Sequence, residues 1–181
     1  MIAGTGDIWV APTGTPLPVG PTVALNSAFR DLGYTNDDGV TLTWTPEVEN
    51  YTAWQSRSPI RRELTSATTA VSFGLLQWNQ DTVPFAFGGG IVTEPTPGIY
   101  RLDFLADGDA LEEVSLVAEF ADGDKHYRVV IERGTIMEAI ETQLTRGSFG
   151  ELPVSFEALT PESGVAAYML TDDPSFDPDG S

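Results

Sequence analysis

His126 is the only histidine in the 181-residue chain, which has no cysteine. Any triad with a histidine base must therefore use His126. Thiol nucleophiles, disulfides and Cys-ligated zinc are excluded. His126 follows the turn sequence Asp122-Gly123-Asp124 and precedes Tyr127. Adjacent strand residues point to opposite faces, so these neighbours do not assemble a catalytic set and His126 reads as a polar residue entering a strand. A hydrolase built on it would lose its activity in His126→Ala. Gly147-Ser148-Phe149-Gly150 lacks the G-x-S-x-G spacing of a nucleophile elbow. Gly88-Gly89-Gly90 lacks the following Lys-Ser/Thr of a phosphate loop. Three acidic pairs, Asp107/Asp109, Asp122/Asp124 and Asp177/Asp179, could open calcium loops. The third-ligand positions after the first two hold Leu111 and His126, so all three pairs read as solvated turns. No catalytic residue, metal or cofactor is expected.

The constellation that stands out is Pro46 to Arg62, PEVENYTAWQSRSPIRR. Glu47 and Glu49 come first, Tyr51 and Trp54 lie between, and Arg57, Arg61 and Arg62 follow. The segment is long for a hairpin loop, and loops of this length are usually functional or disordered. Aromatic and Arg residues are the types that anchor protein interfaces. A loop acidic at one end and basic at the other could dock on a copy of itself. Equally, it could be a solvated hairpin with Trp54 folded back on its own sheet.

The elements that must carry this segment alternate with period two. Val40, Leu42 and Trp44 face away from Thr41, Thr43 and Thr45. The pattern repeats at Val71, Phe73 and Leu75, at Val114 to Phe120, at Tyr127 to Ile131 and at Leu152 to Ala158. Asp122-Gly123-Asp124 predicts a hairpin turn between two of these runs, and Asp37-Asp38-Gly39 a turn before the first. Many short strands with 18 Gly and 13 Pro between them predict an all-β, antiparallel sandwich or barrel. One short helix is expected, capped by Asn79, favoured by Asp81 and stopped by Gly88 to Gly90, with Pro84 limiting it to a turn or two. Residues 134–146 suit a helix through Ile136, Ile140 and Leu144. They also suit a strand alternating through Ile136, Glu138, Ile140, Thr142 and Leu144, which is preferred here. A single domain is expected over 1–170, with an acidic, flexible tail over 171–181.

Twenty-seven acids against nine bases give a net charge of −18. Residues 1–100 carry nine acids and four bases (−5), and the remainder 18 acids and five bases (−13). Such a surface offers few cations to replace the counterions of nucleic acid, which argues against tight binding. No apolar run is long enough for a membrane helix, and the first residues show no secretory signal.

Gly6-Asp7-Ile8-Trp9-Val10-Ala11-Pro12-Thr13-Gly14-Thr15-Pro16-Leu17-Pro18 resembles the opening of siphovirus major tail proteins, the tail tube subunits of long-tailed phages. Leu32-Gly33-Tyr34-Thr35-Asn36-Asp37-Asp38-Gly39-Val40 resembles their next hallmark, a Leu-Gly-Tyr turn followed by Asp-Gly and a strand. The Trp54–Arg62 loop, the Val71–Trp78 run and the Gly-rich break after Phe87 follow in the same order. The resemblance implies a tail-tube-like β-sandwich with one short helix and no enzymatic activity. It implies a virion protein, made in the host cytoplasm, whose homohexameric rings stack into a tube. Other tail proteins would meet the tube at its ends, and genomic DNA would pass through without being gripped. It also places the inter-subunit or inter-ring contact on the loop holding Glu47, Glu49, Tyr51, Trp54, Arg57, Arg61 and Arg62. The competing expectation is a monomeric β-sandwich module binding carbohydrate or protein, with Trp9, Trp44, Trp54 or Trp78 as a platform. Against it, Trp44 and Trp78 lie in strand patterns and read as core or half-buried.

Overall fold

A computed structural model describes residues 5–55, 58–137, 140–147 and 150–179. Alternation sets its architecture. In β7 (Val114–Asp122) and β8 (Lys125–Ile136), Leu116, Ala118, Val129 and Ile131 point to one face, and Val117 and Val130 to the other. Gly123, at φ 63°, turns β7 into β8 with Asp122 opposite Lys125. Positive φ at the first turn residue is the geometry whose twist suits a two-residue hairpin. β1 (Gly6–Pro12) pairs with β7, and the short β2 (Arg30–Asp31) pairs with β1.

On its other side β8 has two partners. Its first half holds β10 (Ala167–Thr171), and Gly134 to Ile136 hold β9 (Leu152–Ala158). β9 pairs in turn with β4 (Pro59–Leu75), and β4 with β3 (Thr41–Thr52). The eight strands therefore run β2-β1-β7-β8-β9-β4-β3, with β10 attached to β8 and every pairing antiparallel. Gly134 is required where β8 crosses to β9: a Cβ there would lie 2.5 Å from both the Glu157 carbonyl oxygen and the Phe156 ring.

The sheet closes over a core in which Ile8, Val10, Leu116 and Ile131 meet Val71, Leu75, Leu152 and Phe156. Helix α1 (Thr82–Ala86) covers this core with Phe85, whose ring lies 5.9 Å from that of Phe156. The N-cap position falls on Asp81, which makes no side-chain cap bond, two residues after the expected Asn79. Asn79 instead leads the chain in, its Oδ1 accepting from the N–H groups of Asp81 and Thr82, and Gly88 (φ 76°) follows the helix end. The Leu32-Gly33-Tyr34 motif has a plain physical role. Leu32 is fully buried in the core, Gly33 takes φ 75°, and the Asp31 carboxylate accepts the Gly33 N–H.

A second apolar cluster lies on the opposite face of β1, β7, β8 and β10, where Phe29, Leu17 and Leu25 cover Ala11, Val117 and Val130. The buried Arg128 ties this cover down. Its guanidinium donates to the carbonyls of Gly20 (2.5 Å) and Val23 (2.8 Å) and pairs with Glu119 at 2.7 Å.

Three expectations change. Residues 134–146 are not one strand: β8 ends at Ile136, where its pairing with β9 ends, and 140–146 carry no strand; Glu138 lies outside the described residues. Trp78 lies beyond the end of β4, 45% exposed, its indole N–H donating to the Gly150 carbonyl. Trp44 does lie on a strand but is 60% exposed, because β4 and β3 run on past the core. From 171 to 179, Thr171 ends β10, Asp173 is buried, and Pro174–Phe176 form a single 3₁₀ turn.

Candidate assembly interface

The segment expected as a long loop is the outer part of a β-ribbon. β3 and β4 pair from Thr41↔Ser72 to Thr52↔Pro59, with register irregularities after Glu47 and Tyr51. Every residue of β3 is exposed, as is β4 from Pro59 to Ala67. Twelve residues of β3 at roughly 3.3 Å each make the ribbon about 40 Å long. Its β-branched and aromatic residues suit extended chain, but a two-stranded ribbon alone is marginally stable in water.

The two faces of the ribbon differ. Thr41, Thr43, Thr45, Glu47, Glu49 and Tyr51 share one face, opposite Ser72, Ala70, Thr68, Ser66, Glu63 and Arg61. Leu42, Trp44 and Val48 share the other, where Val48 lies opposite Leu64. Leu42 lies opposite Val71, a core residue, so the apolar face continues the core side of the sheet beyond the point where this chain covers it. Leu42, Trp44, Val48 and Leu64 are each about half exposed or more. The outer edge of β3 has no strand partner among the described residues.

On the polar face, the Glu47 carboxylate accepts from the Ser66 hydroxyl at 2.8 Å. The Tyr51 hydroxyl donates to Glu49 at 3.0 Å, and this bond, with some burial, raises the phenol pKa. Arg61 lies 3.7 Å from Glu63. Arg62, opposite Asn50, falls on the apolar face and has no carboxylate partner among the described residues. Trp54, at the turn, is fully exposed and does not fold back on its sheet. Arg57 lies outside the described residues. The expected residues thus belong to one ribbon, but they divide between its two faces and its tip. Sequence reasoning missed the apolar stripe of Leu42, Trp44, Val48 and Leu64. Its signal was present, because the alternation of Leu42 and Trp44 extends to Val48 across Pro46.

A second ribbon, β5 (Ile91–Thr96) with β6 (Ile99–Asp103), forms a sheet of its own. It exposes Ile91, Ile99 and Tyr100, and it was not foreseen. His126, by contrast, serves the fold: its Nδ1 lies 2.8 Å from Asp172, whose carboxylate also accepts the His126 N–H. Asp173 accepts from the Tyr127 hydroxyl (2.6 Å) and the Lys125 ammonium (2.8 Å). These bonds hold the Asp173 carboxyl well below the usual carboxylate range and push the Tyr127 phenol up to about 12. The paired acids of the turns bond their own backbones, as Asp109 does to the Ala106 N–H and Asp177 to the Asp179 N–H.

An exposed apolar stripe of this kind is the type of surface that marks interaction sites. Residues 1–180 match the sequence profile of phage tail tube proteins. The chain belongs to the phage tail tube protein family. It is a structural component of the virion tail that assembles with itself and with other tail proteins, and the family is not known as enzymatic. Among solved structures, this tail tube protein is similar to a chain of the virion of a native gene transfer agent particle. The two share 12% identity over 86% of this chain and 92% of the other, with a TM-score of 0.44. No curated protein matches it in sequence. No described helix is long and apolar enough to cross a membrane.

Proposed function

We propose that this tail tube protein forms hexameric rings that stack into a channel for genome delivery into the host. The ring number follows from the resemblance to siphovirus major tail proteins. The observation that carries the reading is the β3–β4 ribbon, whose apolar face continues the core side of the sheet and is left about half exposed by the described residues. A closed ring of one protein needs head-to-tail contacts in which one patch meets a different patch. The open edge of β3 lets a neighbour extend the sheet by backbone hydrogen bonds. Glu47, Glu49, Tyr51, Trp54, Arg57, Arg61 and Arg62 act in these contacts between subunits or rings.

The net charge of −18 fits a conduit that passes DNA without holding it. Carboxylates facing phosphates release no counterions and offer no strong site to stall on. Electron microscopy of the purified protein with its tail-tip initiator tests the reading. Six-fold rings or tubes are expected, and a monodisperse globule under those conditions refutes it. Lysines in place of channel acids should slow genome delivery, and unchanged infectivity would remove the electrostatic part.

A further inference from the structure

Between α1 and the β5–β6 hairpin lies an open groove of about 450 Å³. Trp78, Val83, Pro84, Val92, Tyr100 and Leu102 make its walls largely apolar. Two of these walls are held firmly. The Trp78 indole is bonded at 2.6 Å to the Gly150 carbonyl, and Pro84 is buried within the helix. The hairpin side is exposed, Tyr100 to 72%, and among the described residues β5 and β6 pair only with each other. A polar recess sharing Gln80, Pro84 and Val92 adjoins the groove and contains Asp81 and Glu112. Asp81 is paired with Arg30 at 2.7 Å, whereas the Glu112 carboxylate has no partner among the described residues.

The ribbon carries the complementary set, Trp54 at its tip and Arg62 on its apolar face close behind. Trp54 is fully exposed, and Arg62 lacks a carboxylate partner. Trp and Arg side chains are the usual anchors of interfaces, and they act by filling desolvated pockets on the partner. We propose that the groove of one copy receives the ribbon tip of another. The Trp54 indole enters between Pro84 and Tyr100, and Arg62 lies toward Glu112. Donor and receptor are different patches, so each bound copy still presents one of each, as a ring or stack requires. This rests on the reading that copies assemble through the β3–β4 ribbon, and it names where that ribbon ends.

The absence of cysteine makes the test clean. Gln55→Cys chains are mixed with Ile99→Cys chains, allowed to assemble, and treated with a short bismaleimide. Because the two cysteines are on different chains, only a contact between copies links them. A covalent dimer is expected in the mixture, well above the yield from either variant alone. In parallel, Trp54→Ala should raise the protein concentration needed for assembly at least about 30-fold, which corresponds to about 2 kcal/mol. The melting temperature of the dissociated chain should stay unchanged. If rings or tubes form but the mixture gives no linked dimer, or Trp54→Ala assembles at the wild-type concentration, the groove is not the receptor and assembly through the ribbon still stands. If wild-type chains never assemble, both readings fail.

Discussion

Replacing Trp44 by Ser separates the two roles a large aromatic residue on a strand can have. Trp44 lies on the apolar face of the ribbon, opposite Thr69, and is 60% exposed in the single chain. An aromatic side chain buries about 200 Å² in total, so covering the remaining fraction removes roughly 120 Å² from water. At about 25 cal/mol per Å² that is about 3 kcal/mol for each contact between copies, or about a hundredfold in the association constant. The single chain should lose much less, because most of the indole is already in water. Light scattering or sedimentation against concentration measures the assembly midpoint, and thermal melting of the dissociated chain measures its stability. Trp44→Ser should move the first about a hundredfold and the second by less than about 1 kcal/mol. The opposite pattern, a large drop in melting temperature with assembly unchanged, would make Trp44 a prop of its own fold and refute the docking face.

Arg128→Met should cost about 3 kcal/mol, since breaking a buried ion pair costs roughly 3–5 and here Glu119 stays partly solvated. It should lower the melting temperature by about 6–12 °C and open residues 13–29 to limited proteolysis, because the ties to Gly20 and Val23 are gone. Gly134→Ala forces a Cβ to 2.5 Å from the Glu157 carbonyl oxygen; overpacking of this kind costs about 1–3 kcal/mol, read from denaturant midpoints. Asp172 and Asp173 have lowered pKa values through their bonds to His126, Lys125 and Tyr127. Their contribution is therefore complete above the unfolded carboxylate pKa of about 3.9 and falls as pH drops below it. The raised Tyr127 phenol gives the opposite limb, complete below about pH 10 and lost as pH rises toward about 12. Hydrogen exchange of the β10 amides should show both limbs in wild type, with Asp173→Asn flattening the acid one and Tyr127→Phe the alkaline one. Unchanged profiles in these variants would place the pH dependence elsewhere.

Much of the strand layout was legible because period-two alternation reports burial on one face. Val71/Phe73/Leu75 and Leu152/Val154/Phe156 point inward as expected. The short helix was legible from Asn79 and Gly88, since a side chain bonding nearby backbone N–H groups and a positive φ are local chemistry, although the cap position itself is Asp81. Three features were not. Alternation states that Leu42, Trp44 and Val48 share a face, but nothing local says whether the sheet opposite reaches that far. Residues 134–146 kept their alternation past Ile136, although their pairing with β9 ended there while β9 itself runs on along β4. The apolar β5–β6 hairpin, which carries Pro95 and the turn glycine Gly98, gave too short a pattern to stand out.

The amino-acid sequence alone determined the chemistry of this protein: no thiol, one histidine, a strongly acidic surface, and strands whose two faces differ. Those are properties of residue types and their spacing, which need no partner to be read. The tertiary structure decided which apolar faces the chain covers for itself. Phe156 ends in the core and Trp44 ends in water, although both lie on alternating strands. Burial depends on what distant segments place opposite, and all of β3 and the first part of β4 lie exposed.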